Sequence, residues 1–142
     1  NRVKEHMELE YEAVSKFEPK LATLKPEAFH KEYKLEVQRG PEYDILNEAQ
    51  LHTLFSKEFT IAKENNRMAY QLEDKIEGHT ITMLTSATLP GTVQLTPAGR
   101  LIILMRDGQT TGGYPRILQL SQKAISVLSQ KKYGDQVAFQ MH

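Results

Sequence analysis

Short runs in which apolar and polar residues alternate dominate the chain. Tyr33-Lys34-Leu35-Glu36-Val37 puts apolar side chains on one side and charges on the other, as in a strand with one wet face, and Gly40-Pro41 ends it. Phe59-Thr60-Ile61-Ala62 reads as a second strand and Asn65-Asn66 as the turn after it. Arg67 to Leu72 alternates again, with Met68, Tyr70 and Leu72 on one face and Arg67, Ala69 and Gln71 on the other; one face is expected to be core. In a regular strand Arg67 and Tyr70 cannot line one pocket unless a bulge intervenes. Thr80-Ile81-Thr82-Met83-Leu84 is rich in β-branched residues and predicts a further strand. Thr92 to Leu95 follows the Pro90-Gly91 turn, and Leu101 to Met105 follows the turn at Pro97-Ala98-Gly99. Arg116 to Leu120 and Gln136 to Phe139 complete the series.

Two short helices interrupt this pattern. Asn47 caps the first, Gln50 occupies the capping-box position, and Leu51, Leu54 and Phe55 follow at helical spacing to an end near Lys57. Ser121 caps the second, whose Ala124, Ile125 and Leu128 share a face, and Gly134 suits the turn beyond. Residues 1–31 are rich in Glu and Lys, with Pro19 and Pro26 breaking any long helix, and are expected to form an extended linker or a segment of a preceding unit. Within them Met7 to Val14 starts in alternation, so a strand competes with a helix there. About seven or eight short strands and two short helices predict a mainly β fold, a barrel or sandwich rather than a parallel sheet.

A chain of 142 residues is the size of one domain. Its 18 basic and 18 acidic residues cancel, leaving no electrostatic footprint for nucleic acid or an anionic membrane. Without cysteine there are no disulfides, thiolate nucleophiles or thiolate metal ligands, which suits a reducing cytoplasm. The apolar run Leu101 to Met105 is too short for a bilayer span, and no signal pattern opens the sequence. A soluble chain is expected, and the start at Asn1 in a charged segment suggests part of a longer protein. The five histidines, His6, His30, His52, His79 and His142, show no metal-ligand spacing. Ser86 and Ser121 lack a nucleophile elbow, and neither a GxxxxGK[ST] nor a GxGxxG loop occurs.

Candidate chemistry concentrates in Asp107-Gly108-Gln109-Thr110-Thr111-Gly112-Gly113-Tyr114-Pro115, at the end of the apolar run. Asp107 follows five apolar residues, so its carboxylate is expected at the core's edge, as a base or as an acceptor for a substrate N–H. Alternatively it only bonds backbone amides of the Gly-Gly loop. Thr110 and Thr111 either hold a carbonyl or carboxylate or simply favour β structure. Tyr114 either orients a planar ligand or packs in the core, and Arg67 either grips an anion bidentately or forms a weak surface ion pair.

These residues resemble a known family. Asn66-Arg67-Met68-Ala69-Tyr70-Gln71-Leu72-Glu73, Pro90-Gly91-Thr92-Val93-Gln94, the stretch Asp107 to Pro115, and Gly134-Asp135 with Val137 and Phe139 look like the C-terminal half of the KipA-like family. That family includes the biotin-dependent carboxyltransferase domain of urea carboxylase (urea amidolyase) and the subunit of bacterial 5-oxoprolinase designated C. The match runs from about Tyr33 to Phe139. The resemblance implies a cyclophilin-like β-barrel over residues 32–142, the C-terminal half of a carboxyltransferase-type domain. It implies action on an amide or cyclic amide, by carboxyl transfer or ATP-dependent ring opening, with Asp107 catalytic. Gln109, Thr110, Thr111, Gly112, Gly113, Tyr114, Arg67 and Tyr70 would contact substrate, with no metal. ATP or carboxybiotin would enter through partner domains, with no cofactor bound by this chain. The implied partners are the N-terminal half of the same subunit, a KipI-like subunit and a LamB/YcsF-like subunit. A non-catalytic KipA-like module that pairs with a KipI-like protein is the alternative. Ala69 stands where the family has glycine, and Gly108 where Arg or Ala is common, which predicts altered backbone geometry around Tyr70. The TVQDxGR-like segment of the family's first half is missing, so the fragment alone is not expected to be active.

Overall fold

The computed structural model describes Glu8, Glu12, Ala13 and residues 32–142. The element expected at Met7 to Val14 and the extended segment over 1–31 otherwise lie outside the described residues.

Nine strands and two α-helices follow one another among these residues. They are β1 (Lys34–Arg39), a 3-10 turn (Tyr43–Ile45), α1 (Glu48–Ser56), β2 (Phe59–Asn65), β3 (Ala69–Lys75) and β4 (Ser86–Ala87). Then come β5 (Thr92–Leu95), β6 (Arg100–Leu104), β7 (Thr111–Gly112), β8 (Arg116–Leu120), α2 (Gln122–Leu128) and β9 (Gln136–Met141). Seven strands close into a barrel in the order β1-β8-β5-β6-β3-β2-β9, and β4 pairs with β7 in a separate two-stranded sheet. The expected cyclophilin-like barrel with two short helices is thus the fold. Its pairs are antiparallel except β1 with β9, which run parallel with Leu35 opposite Phe139.

Alternation builds the core. Leu35 and Val37, Phe59 and Ile61, Tyr70 and Leu72, Val93 and Leu95, Leu101 and Ile103 are all buried members of one cluster. Helix α2 packs on β1 and β8, burying Ala124, Ile125, Val127 and Leu128. Helix α1 begins with the expected box, in which the Asn47 side chain accepts from the Gln50 amide at 2.8 Å and Gln50 Oε1 accepts from the Asn47 amide at 2.9 Å. The Gln50 carboxamide also donates to the carbonyls of Glu77 and Gly78 at 2.9 and 3.0 Å, pinning the segment after β3 against the helix. No helix among the described residues is long and apolar enough to cross a membrane.

Two expectations need correction. Thr80 to Leu84 is not a strand; the segment is irregular, with Leu84 89% exposed. Its β-branched side chains have no sheet face to pack on, because β5 already pairs with β6 and β8. Met68 does not share the buried face of Tyr70 and Leu72: β3 starts at Ala69, which leaves Met68 exposed in the preceding turn.

Glu42 fastens the 3-10 turn to the barrel. Its Oε2 accepts from the Arg116 amide and Nε, both at 2.9 Å, and its Oε1 accepts from Nη2 at 2.7 Å. Arg116 Nη1 donates onward to the Ala87 carbonyl at 2.6 Å, so the same fork holds β4. Bonding from the Arg116 side chain is the main reason that the Glu42 carboxyl lies below the ordinary carboxylate range. A depressed carboxylate contributes stability that is complete above its unfolded value and disappears as pH falls through the lower folded one. Glu42→Gln is expected to lower unfolding free energy at neutral pH by about 1.5–3 kcal/mol. In denaturant titrations the gap should narrow under acid conditions, as the wild-type carboxylate takes up its proton.

Candidate functional site

A tight ribbon formed by the turn before β3 and the loop after β6 organises the site. Asn66 shapes the first part: its side-chain oxygen accepts from the amides of Met68 and Ala69 at 2.8 and 3.2 Å. Backbone bonds then lace the two segments together, Met105 N to Met68 O at 2.9 Å and Asp107 N to Arg67 O at 3.0 Å. Gly108 makes the approach possible, because a Cβ there would lie 2.8 Å from the Met68 carbonyl and 2.9 Å from that of Met105.

This lacing sets Arg67 beside Asp107. Their ion pair spans 2.6 Å, with the two side chains 89% and 47% exposed. Asp107 thus stands further into solvent than the core edge expected for it, and its carboxylate meets a guanidinium rather than the amides of the Gly-Gly loop. Arg67, Asp107, Tyr70, Asn66, Met105 and Ser129 line part of a groove of about 210 Å³. Arg67 and Tyr70 share it, contrary to the strand-based expectation, because Arg67 belongs to the turn and escapes the period-2 alternation of β3. The Tyr70 hydroxyl donates toward the Lys131 carbonyl at 3.2 Å. Burial pushes the pKa of this phenol up, which keeps it protonated.

The rest of the loop crosses the outside of the barrel. Thr88 Oγ1 donates to the Gln109 carbonyl at 2.6 Å, Thr88 N to the Thr110 carbonyl at 2.9 Å, and Leu95 N to the Pro115 carbonyl at 3.0 Å. Thr111 and Gly112 pair with Ala87 and Ser86 as β7 and β4. Thr110, Thr111 and Gly113 are exposed. Tyr114 is 41% exposed and is not a core residue. With Gln109 it walls a second groove of about 160 Å³, floored by Met68, Ala69, Ile102 and Leu104 and ending at Gln94. Ala69 sits in regular strand pairing opposite Leu104, so its methyl lines the groove without disturbing the backbone.

Gln94 was not singled out as a site residue by the sequence pattern. It is 1% exposed, lies between the buried Val93 and Leu95, and its Nε2 has no hydrogen-bond partner among the described residues. A glutamine inside the otherwise apolar end of a strand, within the Pro90 to Gln94 motif, was the available signal. Gly112 lies directly over it: a Cβ at 112 would overlap the Gln94 carboxamide and come within 2.9 Å of Gln109 Nε2. The ribbon thus gathers Arg67, Tyr70 and Asp107 into one groove, and Gln109 and Tyr114 into the other. Thr110, Thr111 and Gly113 line neither of these two grooves.

The model of the family described as carboxyltransferase domain, subdomain A and B, matches residues 1–141. The chain belongs to that family. It is 35% identical over 102 residues to the 5-oxoprolinase subunit designated C of Escherichia coli (strain K12), covering 70% of this chain and 33% of that protein. The chain therefore spans about a third of this curated relative. A crystal structure of TTHA0988 matches with a TM-score of 0.74 at 24% identity, over 91% of this chain and 25% of the other. The K. lactis urea amidolyase matches with a TM-score of 0.68 at 21% identity, over 84% of this chain and 8% of that one. These two likenesses concern the fold.

The two adjacent glycines should respond differently to a methyl group. Gly112→Ala is expected to cost about 1–3 kcal/mol through overpacking on Gln94. Gly113→Ala should stay within roughly 0.5 kcal/mol, since nothing lies within 4 Å of a Cβ there. Equilibrium unfolding of both variants checks the contrast.

Proposed function

We propose that residues 32–142 form the C-terminal half of a protein like the 5-oxoprolinase subunit that this chain matches. With partner polypeptides, it acts on the amide bond of a small cyclic amide. The 35% identity to that 5-oxoprolinase subunit supports this substrate class over urea, and ring opening of 5-oxoproline is the reading adopted. The observation that carries it is the Arg67–Asp107 pair at 2.6 Å on the rim of a groove.

An exposed ion pair of this kind adds little to stability and exchanges readily for a ligand. A substrate carboxylate takes the Arg67 guanidinium bidentately. Asp107, released from Arg67, then accepts the ring N–H and steers the amide. Thr110 and Thr111 are exposed on the same loop but line neither groove, so no contact to the ring amide is assigned to them. Both grooves, at about 210 and 160 Å³, are smaller than the roughly 300–1,000 Å³ that holds a drug-sized ligand. On this reading the ATP or carboxybiotin chemistry is left to partner domains.

The proposed partners are the N-terminal half of the same subunit, a KipI-like subunit and a LamB/YcsF-like subunit. Leu84 and Leu89, 89% and 68% exposed, support a covered face near β4. The lack of cysteine fits a cytoplasmic setting.

In the assembled full-length enzyme, Asp107→Ala is expected to reduce kcat/KM for 5-oxoproline by on the order of 100-fold or more. Wild-type turnover in that variant would remove the catalytic role. A stable complex with the KipI-like protein that hydrolyses nothing would instead favour a regulatory, KipA-like module.

A further inference from the structure

We infer that Gln94 recognises the carbonyl oxygen of the planar amide group of a small lactam ring seated in the groove beneath β7. The inference rests on the cyclic-amide reading and deepens it. Arg67 and Asp107 supply charge at one side of the ribbon, while Gln94 supplies on the other side a fixed N–H donor inside an apolar slot.

Gln94 is the buried polar residue at the head of this slot. The side chain is 1% exposed and its Nε2 has no acceptor among the described residues. Leaving a buried donor unsatisfied costs about 1–3 kcal/mol, whereas an apolar side chain of the same shape would be neutral or stabilising at such a position. A donor kept under that penalty, and bordering a groove, is one whose acceptor arrives from outside.

The groove's other walls define that acceptor. Ile102, Leu104 and Ala69 form an apolar floor, the Tyr114 ring forms a wall, and Gln109 stands beside Gln94. None of these side chains is charged, so the slot suits the neutral ring amide, with a substrate carboxylate left outside it. A volume of about 160 Å³ holds several times the roughly 30 Å³ of one water but not a drug-sized molecule. The apolar floor suits ring methylenes, which urea lacks, and the flat face of Tyr114 suits a planar amide. Gln94 Nε2 donates to the ligand carbonyl, beside the Gln109 carboxamide on the other side of Gly112. Both carboxamides reach these positions because residue 112 has no Cβ. The role assigned to Gln94 is substrate positioning, with no bond made or broken at this residue.

The test uses the full-length protein, wild type and Gln94→Leu, with 2-pyrrolidinone as probe and urea as comparison. Binding is read from the side-chain carboxamide resonance of Gln94 and from the dissociation constant, and stability from the unfolding temperature. Expected are a saturable shift of that resonance with 2-pyrrolidinone, weaker binding of urea, and at least roughly tenfold weaker lactam binding by Gln94→Leu. The unfolding temperature of the variant should be unchanged or higher. An absent shift, unchanged affinity, or a lowered unfolding temperature would overturn the inference, the last because it would reveal a structural partner for the amide. Failure of the function proposed above looks different. If the assembled wild-type enzyme leaves 5-oxoproline untouched while 2-pyrrolidinone still binds through Gln94, the positioning role stands and the catalytic assignment falls. If turnover proceeds with an unchanged KM in Gln94→Leu, only the role of Gln94 falls.

Discussion

Hydrogen bonding of β9 to β1 on one side and to β2 on the other closes the sheet, and every later feature depends on that closure. An open seven-stranded sheet would leave two edges with unpaired amides and carbonyls. Closed, it has one enclosed interior, and each strand must send alternate residues inward. Phe59 and Phe139 seal the seam with rings 5.5 Å apart. The outward positions on β3, β5 and β6 then become a continuous surface, and the second groove lies on it.

Most of the strands were legible because alternation is local: Leu35 and Val37, or Val93 and Leu95, announce a buried face within a few residues. The cap of α1 was legible for the same reason, since Asn47 and Gln50 satisfy each other across a single turn. What joins residues far apart in sequence left no such mark. The parallel register of Lys34 with Ala138 and the fork from Arg116 to Glu42 and Ala87 arise only when the barrel shuts. Thr80 to Leu84 misled because strand preference describes fit to a pleated surface, and no such surface is offered there. The loop from Asp107 to Tyr114 stood out through its polarity after an apolar run. That Asp107 meets Arg67 depends on a ribbon register that no pattern encodes.

The ribbon divides two kinds of chemistry. On one side an exposed ion pair is screened by solvent and contributes little to holding the fold, which leaves it free to trade partners. On the other side a buried carboxamide in apolar surroundings has a stronger directional pull on any acceptor that reaches it. Gly108 and Gly112 serve both sides by omission: each permits an approach that a methyl group would block, one between backbones and one between backbone and side chain.

The small sheet of β4 and β7 is joined by only two residue pairs, with Thr88 adding two bonds to the neighbouring loop. Such a patch belongs to the least protected part of a protein, where amide hydrogens exchange through brief local openings rather than global unfolding. Because Gly112 covers Gln94, each opening would uncover the slot while the cylinder beneath stays shut. Access to Gln94 would thereby be separated from the integrity of the scaffold, as a loose cover over a rigid barrel.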